Sequence, residues 1–526
     1  MGSFIRNLAG AAVAGLLALS SGQAVAGTVK VAQGQLTGIA LKGADAYLGV
    51  PYAEPPVGDL RWRAPLPARA WTGSRKADKQ PASCMQVTNP PEGRDPWTAE
   101  YMIPVGGPMS EDCLYLDVWA PKNAVGRRLP VFVWMHGGGL TEGSASVPVY
   151  DGANLAANGE MIVVAINYRL GPFGFLVHPE LKAEAGASGN YGHMDQVAAL
   201  QWVRDNIAAF GGDPNQVTLG GQSAGAGSVM TLTSSPAAKG LFARTIAESG
   251  PGVGARADAY AVSEAAGTAF MKSAGAASLA DLRRMPAEAV VKAGADFLKG
   301  GGKTFRTVID GRFLPRESLL TQITGNAWND TPVLAGYNAD ENSGFDPGYG
   351  QASAADIAKI IADFGPLGGS ARAHYGAGDP KAIGVQMSRD RALSTTYAWA
   401  KRRLIQSRSP MFLYYYTHVE PGPNSARYGS FHTNEVPYIF QNLMGQGRNF
   451  TAEDRQVSKL ISGYWINFIH TGNPNGPGLP NWPAFNMTDE AMMRIDAAPA
   501  PMRMLPAETR DLYEARFGLG GTMPNR

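Results

Sequence analysis

The stretch that most constrains this chain is Gly220-Gly221-Gln222-Ser223-Ala224-Gly225, which lies between a strand-like run and a helix-like one. Val217-Thr218-Leu219 reads as a buried strand, and Ala224 to Leu232, with Val229 and Met230, reads as the helix that follows. Gly221 and Gly225 flank Ser223 at two residues on either side, so the chain can turn sharply without side chains colliding beneath the serine. Such a turn lifts one hydroxyl out of the backbone, the setting in which a serine becomes a nucleophile once a base and oxyanion donors face it. With 65 Gly in 526 residues, a pattern of this kind arises readily by chance; the order strand, turn, helix carries the reading. Upstream, Val197, Leu200, Val203, Ile207 and Phe210 recur at spacings of three and four over Asp195 to Phe210. That spacing predicts an amphipathic helix stopped by Gly211-Gly212, with a turn at Asp213-Pro214-Asn215.

A second strand-like run, Leu129 to Met135, ends in His136-Gly137-Gly138-Gly139. Bare backbone lets N–H groups approach a reacting carbonyl closely, so Gly138, Gly139 and the Ala224 N–H are the candidate oxyanion donors. In the α/β-hydrolase order the acid and then the histidine follow the serine, and His374, His418, His432 and His470 lie downstream. His418 terminates the strand-like run Phe412 to Tyr416, His470 ends a helix-like stretch, and His374 sits in an alanine-rich segment, all structural settings. His432 lies in a loop, Gly429-Ser430-Phe431-His432-Thr433-Asn434, from which a side chain can reach across the ends of a sheet. For the acid, Thr331 to Gly336 reads as a strand whose following loop offers Asp340 and Glu341 side by side. Either could orient the imidazole and stabilise the imidazolium, and composition does not choose between them.

The N-terminus carries Arg6, an apolar run from Leu8 to Leu19 and then Ala24-Val25-Ala26, the pattern of a secretory signal peptide cut after Ala26. Residues 1–26 are therefore expected to be removed, leaving 27–526 as one domain in the periplasm or outside the cell. No later segment offers about 18 uninterrupted apolar residues, so no stable membrane insertion is expected. Cys84 and Cys113 are the two cysteines, and an oxidising compartment permits their pairing. Closing a loop of about 30 residues is worth about 3.5 kcal/mol in the chain-entropy picture. A net charge of +2 with no basic stripe argues against a nucleic-acid partner. No histidine cluster accompanies the cysteines, so no metal site is expected.

At this point the chain closely resembles the type-B carboxylesterase/lipase family of α/β-hydrolases, which also contains the cholinesterases. The resemblance runs nearly end to end. It is carried by Gly49-Val50-Pro51-Tyr52-Ala53-Glu54-Pro55-Pro56 with Arg61-Trp62, by Ser110-Glu111-Asp112-Cys113-Leu114-Tyr115-Leu116-Asp117-Val118, and by the oxyanion glycines. Asn167-Tyr168-Arg169, Gly174-Phe175-Leu176, Gly189-Asn190 with Asp195-Gln196, and Phe210-Gly211-Gly212-Asp213-Pro214 add to it. So do Thr471-Gly472-Asn473-Pro474 and Trp482-Pro483. The resemblance implies a central, mostly parallel twisted sheet flanked by helices, with helical insertions around the entrance; Ala257 to Lys299 and Ala352 to Ala377 are the helix-like candidates. It also implies a triad of Ser223, Glu341 and His432, a Cys84–Cys113 bridge, and a buried Ser249 supporting the acid.

The chain departs from the family pattern in three places. Gln222 stands where many relatives carry glutamate, His193 where leucine is more frequent, and Leu140 where an aromatic often follows the glycines. Leu140, Glu142 and Gln222 are the expected substrate contacts, Glu142 by attracting cationic groups. The resemblance implies hydrolysis of small-molecule carboxylic esters through an acyl-enzyme, without metal or organic cofactor. The alternatives are an interfacial lipase with a mobile apolar lid and a non-catalytic binding module. Survival of serine, acid and histidine disfavours the last.

Overall fold

The computed structural model describes residues 25–87, 107–250, 257–316, 329–445 and 447–518. Among these a 13-stranded sheet runs through the molecule. Its order is Val25–Val31, Gly34–Ala40, Ala44–Pro51, Tyr115–Pro121, Ile162–Ile166, Leu129–Met135, Gly212–Gln222, Arg244–Glu248, Val333–Asn338, Met411–Tyr416, Ala491–Ile495 and Ala500–Arg503, and Ser74–Lys76 pairs with Gly34–Ala40. From Ile162–Ile166 to Ala491–Ile495 every pairing is parallel, while the strands toward both ends pair antiparallel apart from Ser74–Lys76, which lies parallel to Gly34–Ala40. Leu129–Met135, Ile162–Ile166 and Val333–Asn338 are buried at every residue. Continuous rather than alternating apolar runs are what a parallel sheet covered on both faces requires. One face packs Trp134, Phe440, Trp465 and Trp482; another cluster gathers Val131, Val133, Leu200, Val203 and Phe210.

The expected elements are present with shifted ends. The helix before the serine spans Tyr191–Asn206 and closes in a short 3-10 turn to Phe210. Asp213-Pro214-Asn215 does turn, Asn215 N donating to Asp213 Oδ1 at 3.0 Å, but as an irregularity inside the long strand Gly212–Gln222 rather than as a break before it. The insertions are helical, with helices Tyr260–Ser273, Leu279–Arg284, Ala287–Lys299, Ala354–Ala362 and Gly368–Tyr375. Residues 1–24 of the expected signal segment lie outside the described residues, and a cut after Ala26 would fall inside the first strand, Val25–Val31. No described helix is long and apolar enough to cross a membrane.

Several residues of the family pattern are explained by packing. Cys84 and Cys113 form a disulfide. Arg61 pairs with Glu111 while its Nη1 donates to the Leu282 and Met285 carbonyls, tying the N-terminal region to the helical insertion. Arg169 and Asp195 form a buried two-point ion pair. His193 occupies a polar slot that leucine could not satisfy, with its ring nitrogens 2.9 Å from Gln196 Oε1 and 2.8 Å from Thr307 Oγ1.

Asp117 is a carboxyl buried within this sheet. Fully buried, it accepts from Gly49 N at 2.7 Å through one oxygen. Burial pushes its carboxyl up to about 7. A carboxyl raised in the fold stabilises most below its unfolded value, and that contribution fades as pH rises through about 7. Asp117→Asn keeps the acceptor for Gly49 and removes the ionisation. Its stability relative to the parent is expected to improve by on the order of 3 kcal/mol between pH 5 and pH 8, measured by denaturant unfolding at both values. A gap that stays constant across that range would refute the assignment.

Candidate active site

The strand Gly212–Gln222 ends at Ser223, whose backbone takes φ 57° and ψ −122° before the helix Ala224–Ser234 begins. A non-glycine residue there is strained, and its neighbours explain how it is tolerated. A Cβ on Gly225 would lie 2.1 Å from the Met135 carbonyl oxygen, and one on Gly221 would lie 2.6 Å from the Gly225 carbonyl carbon. The turn is closed by Ser223 N donating to the Glu248 carbonyl at 2.8 Å. The serine is half-buried at the carboxyl end of the sheet, where ligands bind in open α/β folds.

The glycine segment comes up beside it from the neighbouring parallel strand, Leu129–Met135. Thr141 N and Glu142 N both donate to Gly138 O at 3.0 Å, and Leu140 O accepts from Gly171 N at 2.7 Å, so the loop is held from both sides. His136, stacked on Tyr168 with centroids 4.4 Å apart, sets its nitrogen Nδ1 2.8 Å from the Gly137 carbonyl. Burial lowers the His136 pKa to about 4, so it holds the loop as a neutral ring. Among the described residues, the N–H groups of Gly138, Gly139 and Ala224 enter no turn or loop hydrogen bond. These are the three donors expected from the sequence. Leu140 is buried and Glu142 is exposed at the rim.

His432 is 2% exposed. Its Nδ1 makes a short contact with Glu341 Oε2, and the other carboxylate oxygen accepts from Asn338 N at 2.8 Å. The edge of Phe345 stands against the ring at 5.0 Å between centroids. The ring's Nε2 lies 3.1 Å from Gln222 Nε2. Gln222, one of the expected substrate contacts, is itself 1% exposed. The strand ends just there, and its side chain turns under the elbow toward the imidazole. His374, His418 and His470 are occupied elsewhere, beside Thr509 Oγ1, Asp454 Oδ1 and Gly159 O respectively.

The two adjacent acids have separate settings. Glu341 meets the imidazole, whereas Asp340 binds Tyr349 OH at 2.6 Å, Arg389 Nη2 at 2.7 Å and Ser430 N at 3.0 Å. A backbone bridge from Asp340 to the histidine loop accompanies these contacts. Ser249 Oγ lies 3.4 Å from Glu435 Oε1 and touches Glu341 only through intermediaries. Glu435 Oε2 accepts from Asn338 Nδ2, and Asn338 N in turn reaches Glu341. Glu435 and Glu248 are both fully buried. Burial, reinforced by the Glu341 charge, pushes Glu435 up to about 8, and burial raises Glu248 well above the carboxylate range. Neither Asn338 nor Glu435 was singled out from sequence. The available signal was position: one residue ends the acid's strand, the other follows His432 by three.

Comparison with known proteins shows the family. The model of the carboxylesterase family matches residues 25–359 and 379–513. Human cocaine esterase is 35% identical over 513 residues, covering 90% of this chain and 88% of that protein. The para-nitrobenzyl esterase of Bacillus subtilis (strain 168) is 36% identical over 482 residues, covering 88% and 93%. Among solved structures, a PNB esterase superposes with a TM-score of 0.77 at 33% identity, over 92% of this chain and 99% of its own. A Geobacillus stearothermophilus carboxylesterase superposes with a TM-score of 0.79 at 32% identity and the same coverage. With its α/β-hydrolase fold, the chain belongs to the carboxylesterase family and is a carboxylic ester hydrolase.

Proposed function

We propose that the protein is an exported serine carboxylesterase in which Ser223, His432 and Glu341 form the catalytic triad and Gly138, Gly139 and Ala224 the oxyanion hole. The observation that carries this reading is the His432 ring held at Nδ1 by Glu341 beside a strained serine and three uncommitted N–H groups. Ser223 Oγ bonds to the ester carbonyl carbon as its proton passes to His432 Nε2. The carbonyl electron pair moves onto oxygen and is held by the three N–H groups. As the pair returns, the bond to the alkoxy group breaks and that group leaves with the proton from Nε2. Water repeats the sequence on the acyl-enzyme, giving the carboxylic acid and free serine. Glu341 keeps the ring oriented and stabilises the imidazolium in both halves.

Residues 1–26 act as the signal peptide in this reading, and 27–526 form the mature enzyme in the periplasm or outside the cell. The Cys84–Cys113 disulfide supports an oxidising compartment. The substrates are small-molecule esters, as the names of its esterase relatives suggest. A fluorophosphonate probe is expected to label the protein covalently, with peptide mass spectrometry assigning the adduct to Ser223. Absence of an adduct, or its recovery on another residue, would overturn the proposal.

A further inference from the structure

The oxyanion segment is built of residues with little backbone preference of their own. Gly138 and Gly139 take φ 102° and 65°, values open to glycine and costly for other residues, and the same freedom leaves nothing within the glycines to fix where their N–H groups point. Donors stabilise a developing anion only when they are aimed beforehand, so the turn must be set by its surroundings. Gly143, where the segment closes, is packed directly on its start: a Cβ there would lie 2.3 Å from His136 Nδ1 and 2.6 Å from Gly137 O. One side chain holds that glycine. Gln86 Oε1 accepts from Gly143 N at 2.8 Å, while Gln86 Nε2 donates to Gly143 O at 2.9 Å. The amide thus pairs with both backbone groups of one residue, as a neighbouring strand would. Gln86 is 5% exposed, and its Nε2 also donates to Cys84 O at 2.9 Å, so the side chain is itself fixed against the segment that the Cys84–Cys113 disulfide anchors.

We propose that Gln86 is a positioning residue that holds Gly143 and through it sets the Gly138 and Gly139 N–H groups toward the substrate oxygen. The link runs through one peptide unit. Its carbonyl, Glu142 O, lies where a Cβ on Gly138 would come within 2.1 Å, and its N–H, on Gly143, donates to Gln86 Oε1. Gly138 O in turn accepts from Thr141 N and Glu142 N, both at 3.0 Å. A rotation of that peptide would disturb Gly138 and break the bond to Gln86 together, so holding one end holds the other. A primary amide suits the task because it offers an acceptor and two N–H donors, and here all are used, on Gly143 N, Gly143 O and Cys84 O. Methionine has nearly the same length without either function. The role rests on the serine-carboxylesterase reading above, because the aim of these donors matters only if a tetrahedral anion forms beside Ser223.

The test is Gln86→Met, with kcat and KM for a short-chain aryl ester and the inhibition constant of an alkyl trifluoromethyl ketone. The ketone takes Ser223 Oγ at its carbonyl carbon as the serine proton passes to His432, and its oxygen becomes an anion with no group to expel, so its affinity reports the oxyanion donors. Removing one such donor outright costs about 10²- to 10³-fold in rate; loosening the turn is expected to lower kcat about tenfold or more, to weaken the ketone by a similar factor, and to leave KM within about threefold. Ser83→Ala removes the 3.0 Å bond from the same anchored segment to Ser144 Oγ without touching Gly143, and is expected to stay within about threefold of the parent in all three readings. In the parent, where no variant has to fold, the Gly143 N–H is expected to exchange slowly with deuterium before any ligand is added. Unchanged kcat in folded Gln86→Met, a fall in kcat without a matching loss of ketone affinity, an equal fall in Ser83→Ala, or fast exchange at Gly143 in the free parent would each overturn the proposal. A parent that a fluorophosphonate does not label at Ser223 would instead overturn the serine-esterase reading, so the two failures are distinct.

Discussion

Replacing Ser223 by alanine is expected to lower kcat for ester hydrolysis by about 10⁴-fold or more, about 5 kcal/mol of transition-state stabilisation, while leaving the folded state intact. The size follows from the chemistry: in the proposed mechanism the acyl group is carried by the Ser223 oxygen, and an alanine side chain offers no atom to accept it. The fold should survive because alanine keeps the same left-handed backbone cost that serine already bears at φ 57°. The closing hydrogen bond uses the backbone N–H of residue 223 and the Glu248 carbonyl, not the hydroxyl. Turnover, burst amplitude and fluorophosphonate labelling should vanish together, whereas the circular dichroism spectrum and unfolding midpoint should stay near the parent's. Substantial residual turnover in a protein that no longer takes the probe would show that another group carries the reaction. Losses should also be non-additive, since the remaining partners have little to act on once the nucleophile is gone.

The features legible in the sequence were those set by backbone geometry and by chain order. Gly221 and Gly225 announce a turn that only small residues permit, and a carbonyl group crowds the place where either Cβ would sit. Leu129 to Met135 reads as a strand because a parallel strand covered on both faces is apolar throughout. His432 stood out as the loop histidine beyond a strand. What the sequence hid was the choice of partner among polar side chains that the fold brings together from far apart. Gln222 and His432 are 210 residues apart, and Ser249 and Glu435 are 186 apart; neither pairing leaves a periodic trace. Asp213-Pro214-Asn215 carries local turn chemistry, but pairing with the neighbouring strand carries the chain through the irregularity.

The adjacent acids Asp340 and Glu341, indistinguishable by composition, are expected to separate cleanly on mutation. Glu341→Gln removes the charge opposite Nδ1 while keeping nearly the same shape. It loses the preference for the base tautomer and the compensation of the imidazolium, so kcat should fall by about 10³- to 10⁴-fold. Stability should change little, because the Asn338 N–H retains an amide oxygen as acceptor. Asp340→Asn acts elsewhere. Asp340 clamps the histidine loop through Ser430 N and anchors Tyr349 and Arg389. Its ion pair with Arg389 contributes little, because that side chain is 41% exposed and screened by solvent. The buried hydrogen bonds remain, and weakening them is expected to cost about 1–3 kcal/mol of stability, with kcat within about tenfold of the parent once the protein is folded. Steady-state kinetics and denaturant unfolding on both variants give the comparison. If Asp340→Asn abolished turnover in a stable protein while Glu341→Gln remained active, the acid of the triad would be Asp340. The short contact at Nδ1 would then be a structural pairing, with the imidazole oriented for catalysis through the loop clamp instead.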